Sequence, residues 1–326
     1  MITDRHKRVH DYLRISLTDN CNLRCFYCMP EEDYDFTPAS RLMQPAEIFT
    51  LAKIFVDNGV KKIRLTGGEP LVRKDAAEII SLLATLPVEL TITTNGTRLD
   101  SFIPLLKKSG IRSINISLDT LQEDRFVLIT RRNLFNEVRR NIDAMLLEGF
   151  RMKINVVVMK GINDDEINDF VEWTKDTPVH IRFIEFMPFS GNRWSSNKVV
   201  SLNEILSTVA AKYDFDAVRG NEHDTAKVYA VPNHLGNFGV ISTMTQPFCS
   251  TCNRIRLTAD GKMKNCLFSK SETDLLTPLR NGDDVLPLIY GNISTKEKEL
   301  GGQFTAQPDA VDYLHLENRS MITIGG

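Results

Sequence analysis

Two hydrophobic rhythms take turns along the first two thirds of the chain. Tyr12-Leu-Arg-Ile-Ser-Leu17 alternates apolar and polar positions, which predicts a strand. The stretch 42–58 carries Ile48, Leu51, Ala52 and Phe55 at helical spacing and stops at Asn58-Gly59, which predicts a helix. The same pair then recurs. Strands are expected over 62–65, 90–94, 114–118, 152–159 and 179–185, and helices over 76–86, 102–109, 137–148, 166–175 and 203–212.

Strands alternating with helices at this pitch predict a parallel α/β sheet. Six units rather than eight predict an incomplete (β/α)6 TIM-like barrel, open along one side. Its chemistry is expected at the C-terminal ends of the strands. Those ends would gather the loop after the first strand, Thr66 to Pro70, Asn95-Gly96 and Asp119 at one mouth. Beyond about residue 215 Gly, Asn, Thr and Pro become frequent and helical periodicity fades until the last 50 residues. A second module is expected to begin between Asp214 and Tyr229, dividing the chain into 1–220 and 221–326.

Composition narrows the field less than pattern does. The 326 residues are 42% hydrophobic and 25% charged, as in ordinary globular proteins. A net charge of −2 gives no global pull towards nucleic acid or an anionic membrane, and neither is expected as a partner. Residues 1–10 are polar and basic without an apolar centre, so no signal peptide is expected there. No apolar run approaches the roughly 20 residues that span a bilayer. A reducing, cytoplasmic location with free cysteines is expected.

The densest chemistry lies in Thr18-Asp-Asn-Cys21-Asn-Leu-Arg-Cys25-Phe-Tyr-Cys28, where three of the six cysteines are spaced C-x3-C-x2-C. Iron–sulfur clusters are held by thiolates in short runs of this kind. A four-iron cubane wants four ligands and this loop offers three. By analogy with catalytic zinc, one iron is left open for chemistry. A zinc site lacks a fourth ligand here, since no histidine lies between Cys21 and Cys28. A Cys25–Cys28 disulfide is at odds with a long chain without a secretion signal.

Thr66-Gly-Gly-Glu-Pro70 follows the second strand. Gly67 and Gly68 permit close approach of backbone to ligand, and a carbonyl or Glu69 could accept from an ammonium. In isolation the stretch reads better as a tight turn. A second thiol set, Cys249-Ser-Thr-Cys252 and then Cys266, suits either zinc, with His234 as a conceivable fourth ligand, or another cluster. Beside it, Cys252-Asn-Arg254-Ile-Arg256 places two guanidiniums on one face of an extended stretch. Arginine pairs there favour phosphate, which they bind bidentately; the plainer alternative is a solvated strand face.

The first triplet, with Tyr27 just before its last cysteine and the Gly-Gly-Glu segment about 40 residues on, resembles the signature of the radical S-adenosylmethionine (SAM) superfamily. That resemblance implies a barrel of the radical SAM type with a C-terminal auxiliary-cluster module. It also implies an open iron that chelates SAM and a 5′-deoxyadenosyl radical made by reductive cleavage.

Phe248-Cys-Ser-Thr-Cys-Asn-Arg-Ile-Arg-Leu257, Gly261-Lys-Met-Lys-Asn-Cys266 and the terminal Ile324-Gly325-Gly326 narrow the likeness. Over essentially the whole chain it resembles the GTP 3′,8-cyclase family of molybdenum cofactor biosynthesis, whose members are lyases. The resemblance implies a 4Fe–4S cluster on Cys21, Cys25 and Cys28 and a second on Cys249, Cys252 and Cys266, whose open iron takes the purine of GTP. It implies SAM contacts from Tyr27, Gly67, Gly68, Glu69, Ser117 and Met187. GTP would be met by Arg14, Arg64, Thr93, Lys153, Arg254 and Arg256, and the tail Gly325-Gly326 would complete the pocket. Also implied are an electron donor and a downstream enzyme that takes the cyclised product; a homodimer is compatible. Another radical SAM enzyme with an auxiliary cluster, or a non-catalytic metal- or nucleotide-binding protein, is the rival reading. One departure is that Arg131-Arg132 follows Ile129-Thr130 where a glycine before a basic residue is expected.

Overall fold

The computed structural model describes residues 1–30, 34–304 and 316–325. Six parallel strands form the centre: β1 Tyr12–Ser16, β2 Lys62–Thr66, β3 Glu89–Thr94, β4 Ser113–Ser117, β5 Arg151–Val158 and β6 Val179–Glu185. Between and after them run α1 Pro45–Asp57, α2 Ala76–Leu83, α3 Leu99–Lys108, α4 Glu123–Thr130, α5 Phe135–Leu147, α6 Ile167–Trp173 and α7 Leu202–Ala210. Local sequence explains the edges of several. Helix α1 begins with a Gln44–Glu47 capping box and Pro45 at its first turn, and α7 with a Ser201–Glu204 box.

Alternation along each strand sends one set of side chains to the helices and the other inward. In β5, Met152, Ile154, Val156 and Val158 are buried in the apolar core, and the intervening Lys153, Asn155 and Val157 take the other face. That outer core of Leu, Ile, Val and Phe between sheet and helices holds the barrel together.

Helix α4 is absent from the expected elements. It is eight residues long and leaves Leu128 69% exposed, so its apolar stripe is weak. It ends at Arg131, whose φ of 56° lies in the left-handed region. The position does call for the conformation a glycine adopts without strain, and this chain places arginine there at a cost of about 1–2 kcal/mol.

The chain beyond residue 215 builds onto both edges of the same sheet. Strands β7 Asp216–Val218, β8 Lys227–Ala230 and β9 Asn237–Ile241 extend it beyond β6, with β9 parallel to β6. Strands β10 Arg254–Leu257, β11 Lys262–Lys264 and β12 Thr273–Asp274 extend it beyond β1, with β10 parallel to β1. The result is a 12-stranded sheet in the order β12-β11-β10-β1-β2-β3-β4-β5-β6-β9-β8-β7. It curls strongly, because side chains of β10, β1, β4, β5, β6 and β9 line a single cavity. Helices α8 Leu276–Asn281, α9 Leu286–Ser294 and α10 Met321–Ile324 complete the described chain. Among the described residues no helix is long and apolar enough to cross a membrane.

Candidate functional site

Two cavities adjoin inside the curl. The first is lined by Cys21, Cys25, Tyr27, Cys28, Gly67, Gly68, Thr93, Ser117, Asp119 and Met187, among others. The second is lined by Cys249, Cys252, Cys266, Arg14, Arg254, Arg256, Asn115 and Arg182. Asn155, Ile184, Met187 and Met321 belong to both walls. One thiol triplet faces each.

The loop after β1 folds back so that the Cys28 and Met29 N–H groups both donate to the Cys25 carbonyl, at 2.9 and 2.8 Å. That single turn sets Cys25 and Cys28 on one side. The Gly-Gly-Glu segment braces the same loop, with Gly68 N–H donating to Thr18 O at 2.7 Å and Glu69 N–H to Asn20 O at 2.8 Å. A Cβ on Gly67 would meet Thr18 O at 2.5 Å, so backbone packs here where no side chain fits. Glu69 does not line the cavity. Its buried carboxylate accepts from Leu71 N–H, Thr94 Oγ1 and Asn95 N–H at 3.0, 2.8 and 2.6 Å, and burial pushes it up to about 7. Its work is to hold the ends of β2 and β3 at the mouth. Tyr27 donates through its hydroxyl to Asp119 Oδ2 at 2.6 Å, and Val157 N–H reaches Asp119 Oδ1 at 2.9 Å. Asp119 thereby ties the cysteine loop to β4 and β5.

The three thiols of the first triplet line one cavity wall together, a donor set that suits an iron–sulfur core. Burial, then the neighbouring anions, push Cys21 up to about 11 and Cys28 up to about 12, and Cys25 well above the ordinary thiol value. Such thiols ionise together only when a strong positive charge sits among them, as a bound cluster provides. Leu23 N–H and Asn95 Nδ2 already donate to Cys21 Sγ at 3.4 and 3.7 Å.

In the second triplet the thiols differ from one another: burial raises Cys249, while Cys252 is lowered. A short 3-10 turn over Cys249–Thr251 brings Cys249 and Cys252, three residues apart, to one side. Burial works to raise the Cys252 thiol, but Arg254 and Lys296 overcome it and hold it down to about 6. His234 lies elsewhere: its Nδ1 pairs with Thr174 Oγ1 at 2.8 Å and its ring packs edge-on against Tyr213. It does not line the cavity of the triplet, which removes it as a fourth ligand. No group of three His, Cys, Asp or Glu among the described residues closes on a single metal ion.

Between the triplets lies a concentration of positive charge set by strand register. Arg256, Arg14 and Arg64 stand side by side across β10, β1 and β2, at strand spacings of about 4.8 Å. Like charges directly opposite one another destabilise a sheet, and a row of this kind suits an anion. Burial and then neighbouring arginines hold Arg14 well below the usual arginine value and Arg256 down to about 10. Arg254, from the same face of β10, stacks over Phe248 with its guanidinium 4.8 Å from the ring centre. Arg64 donates to Tyr12 Oη and, at 3.4 Å, to Thr93 Oγ1. Lys153 is set apart, in a more open recess with His180, Arg182 and Asp224. The Gly325 carbonyl accepts from Arg256 Nη1 at 2.8 Å, so the tail enters the barrel; Gly326 lies outside the described residues.

Sequence reasoning missed Arg182, Asn115 and Asn155. Arg182 Nε, Asn115 Oδ1 and Asn155 Oδ1 are buried in the cavity wall without a hydrogen-bond partner among the described residues. Period-2 alternation contained the signal, because Arg182 shares the inward face of β6 with Ile184.

This site is that of a radical SAM protein, and the chain belongs to that superfamily: the Radical SAM superfamily domain matches residues 15–174. A Molybdenum Cofactor Synthesis C domain matches residues 179–301. Within the superfamily the chain is a member of the GTP 3′,8-cyclase family. It is 46% identical to the mitochondrial GTP 3′,8-cyclase of Arabidopsis thaliana over 100% of this chain and 84% of the relative. It is also 46% identical to molybdenum cofactor biosynthesis protein 1 of Drosophila melanogaster, over 96% of this chain and 56% of the relative. The chain thus spans about half the length of the animal relatives it matches. Streptococcus suis SuiB bound to S-adenosylmethionine shares the fold, with a TM-score of 0.60, 17% identity and coverage of 89% of this chain and 68% of that one.

Proposed function

We propose that the protein is a GTP 3′,8-cyclase, a lyase that converts GTP to 3′,8-cyclo-7,8-dihydro-GTP at the start of molybdenum cofactor biosynthesis. The observation that carries this reading is the set Arg14, Arg182, Arg254 and Arg256 in a buried cavity shared with a second thiol triplet, with Arg64 beside Arg14 on the next strand and outside the cavity wall. A nucleoside triphosphate supplies a polyanion that suits such a set.

In this reading Cys21, Cys25 and Cys28 hold one 4Fe–4S cluster, and Cys249, Cys252 and Cys266 a second. SAM held at the first cluster would supply, on reduction, a 5′-deoxyadenosyl radical as the hydrogen acceptor, with ribose C3′ and guanine C8 of GTP the positions this reading assigns to the reaction. The chain itself binds, orients and shields. Tyr27, Gly67, Gly68, Ser117 and Met187 border the SAM cavity, with Glu69 bracing its floor. Arg14, Arg254 and Arg256 meet phosphate in the second cavity, Arg64 adds charge from the next strand and Lys153 from the recess that shares Arg182, and Thr93 borders the SAM side. Asn115 and Asn155 offer buried acceptors to the nucleoside. Gly325 stands against Arg256, and the two-glycine tail, without side chains, would complete the pocket. Residues 1–220 supply the barrel and 221–326 the auxiliary-cluster module. An electron donor and an enzyme consuming the product are the expected partners, in a reducing compartment, the cytosol in our reading.

The test is anaerobic. The reconstituted protein is given SAM and dithionite, and 5′-deoxyadenosine is measured with GTP, with each other nucleoside triphosphate and with none. Formation that depends on GTP is expected. Cleavage indifferent to GTP would overturn the substrate assignment, and absence of cleavage with both clusters verified would overturn the enzyme reading.

A further inference from the structure

Lys296 is a lysine with 1% exposure, well beyond the last cysteine in sequence. Its Nζ donates to Cys252 Sγ at 3.6 Å and to the Arg254 carbonyl at 3.1 Å. Burial works to lower its basicity, the Cys252 and Cys266 sulfurs oppose that, and Arg8 and Arg254 add further positive charge around it. Burying an ammonium is costly unless it is paired, and this one finds its countercharge in sulfur.

Four residues on, Leu300 N–H donates to Cys249 Sγ at 3.5 Å. Leu300 does so with φ at 46°, in the left-handed region that a leucine rarely enters. Gly301 follows at φ 65°, packed so that a Cβ would meet Phe268 O at 2.4 Å. One five-residue segment therefore delivers a donor to each of two sulfurs in the triplet, and its backbone is bent to do so.

The segment is itself held from the far end of the chain. Arg8 Nη1 donates to Cys249 O and Lys298 O, both at 2.8 Å, and Nη2 to Glu297 O at 2.8 Å. Asp4 fixes Arg8 through Nε at 2.6 Å and receives His10 Nε2 at 3.1 Å. The N-terminal hairpin, closed by the Thr3–Val9 bridge, thus straps the segment onto the cysteine turn.

We infer that Lys296–Leu300 is a charged collar for the second iron–sulfur cluster, in which Lys296 raises the cluster's reduction potential through the Cys252 sulfur. The inference rests on the reading of Cys249, Cys252 and Cys266 as cluster ligands. Three thiolates leave such a cluster anionic, and reduction adds a further negative charge. Hydrogen bonds to the sulfurs and nearby net charge are levers that set cluster potentials. A fixed ammonium favours the reduced, more negative state. Lys296 is in this sense a positioning residue, acting through a ligand sulfur.

The experiment uses the full chain with Cys21, Cys25 and Cys28 changed to Ser, reconstituted anaerobically so that only the second triplet takes up iron. Iron and sulfide analysis comes first. Zinc, or iron without sulfide, would show that the triplet is not a cluster site, and the inference falls with that reading. With a cluster present, its midpoint potential is titrated by EPR in the parent and in Lys296→Met, Lys296→Gln and Lys296→Arg. The expected result is a shift to more negative potential in Met and Gln and recovery towards the parent in Arg. The Gln variant keeps a donor without the charge and so separates the two. Loss of the cluster from Met and Gln with full loading in Arg also supports the collar, as the charge then holds the cluster in place. Unchanged potentials in loaded variants, or loss from all three including Arg, would overturn it.

Discussion

Gly68→Ala tests whether the glycine pair sets the position of the first cysteine loop. An added Cβ would stand 2.5 Å from the Asn20 carbonyl oxygen and 2.6 Å from that of Asp19. Unstrained carbon–oxygen contacts begin near ~3.3 Å, so the backbone before Cys21 must withdraw by about 0.8 Å. It cannot do so freely, because Gly68 N–H and Glu69 N–H are bonded to that same stretch at Thr18 and Asn20. The displacement passes to Cys21. Overpacking of this kind costs about 1–3 kcal/mol of stability, and misplacing a reacting group by about 1 Å costs on the order of 100-fold in rate. Reductive SAM cleavage is the assay, followed as 5′-deoxyadenosine under anaerobic conditions, with iron content and thermal unfolding measured in parallel. The expected variant binds iron, melts a few degrees lower and cleaves SAM on the order of 100-fold more slowly. Cleavage at the parent rate with an unchanged melting temperature would refute the argument, since the clash would then be absorbed away from the ligands.

Three further outcomes follow from the same geometry. Arg254→Ala and Arg256→Ala should each weaken GTP binding by about 10- to 100-fold, the worth of one charge-assisted contact, while SAM binding is spared; calorimetry with both ligands checks this, and unchanged GTP affinity in both counts against a phosphate role. Deleting Gly325 and Gly326 should abolish the cyclised product with iron content intact, because Arg256 loses the Gly325 carbonyl; full turnover without the tail would sink that idea. The third outcome concerns pH. Burial, then Lys296, pushes His10 down to about 4 from an ordinary value of 6.5. Between those values the unfolded chain binds a proton that the native state refuses, so stability falls as pH falls through this window, by about 3 kcal/mol in all. His10→Asn should flatten that acid limb in denaturant titrations across the window, and an unchanged slope would refute the assignment.

What the sequence disclosed and what it withheld divide along the range of the interactions involved. The six barrel strands were legible because each packs one face against helices, which writes a period of two into its own residues; β6 was expected over 179–185 and spans Val179–Glu185. The thiol loops and the Gly-Gly-Glu turn were legible because their spacing is local. Helix α4 was not, since eight residues with an exposed Leu128 carry too weak a stripe. Long-range pairing left no such trace. Nothing in the text around β10 announces that it adds to β1 in a register that sets Arg256 beside Arg14 and Arg14 beside Arg64. Yet that register is what turns scattered cations into one electrostatic site. Lys296 is the extreme case, reading as an ordinary surface lysine in a Lys-Glu-Lys-Glu run while its ammonium is buried against a sulfur that lies 44 residues earlier. Charged side chains are costly to bury unless paired, so a buried cation points to its partner only once the fold is known. Among the described residues, Arg64 donates to Tyr12 Oη and Thr93 Oγ1 and Arg256 to the Gly325 carbonyl, neutral partners that leave their charge available to an anionic ligand.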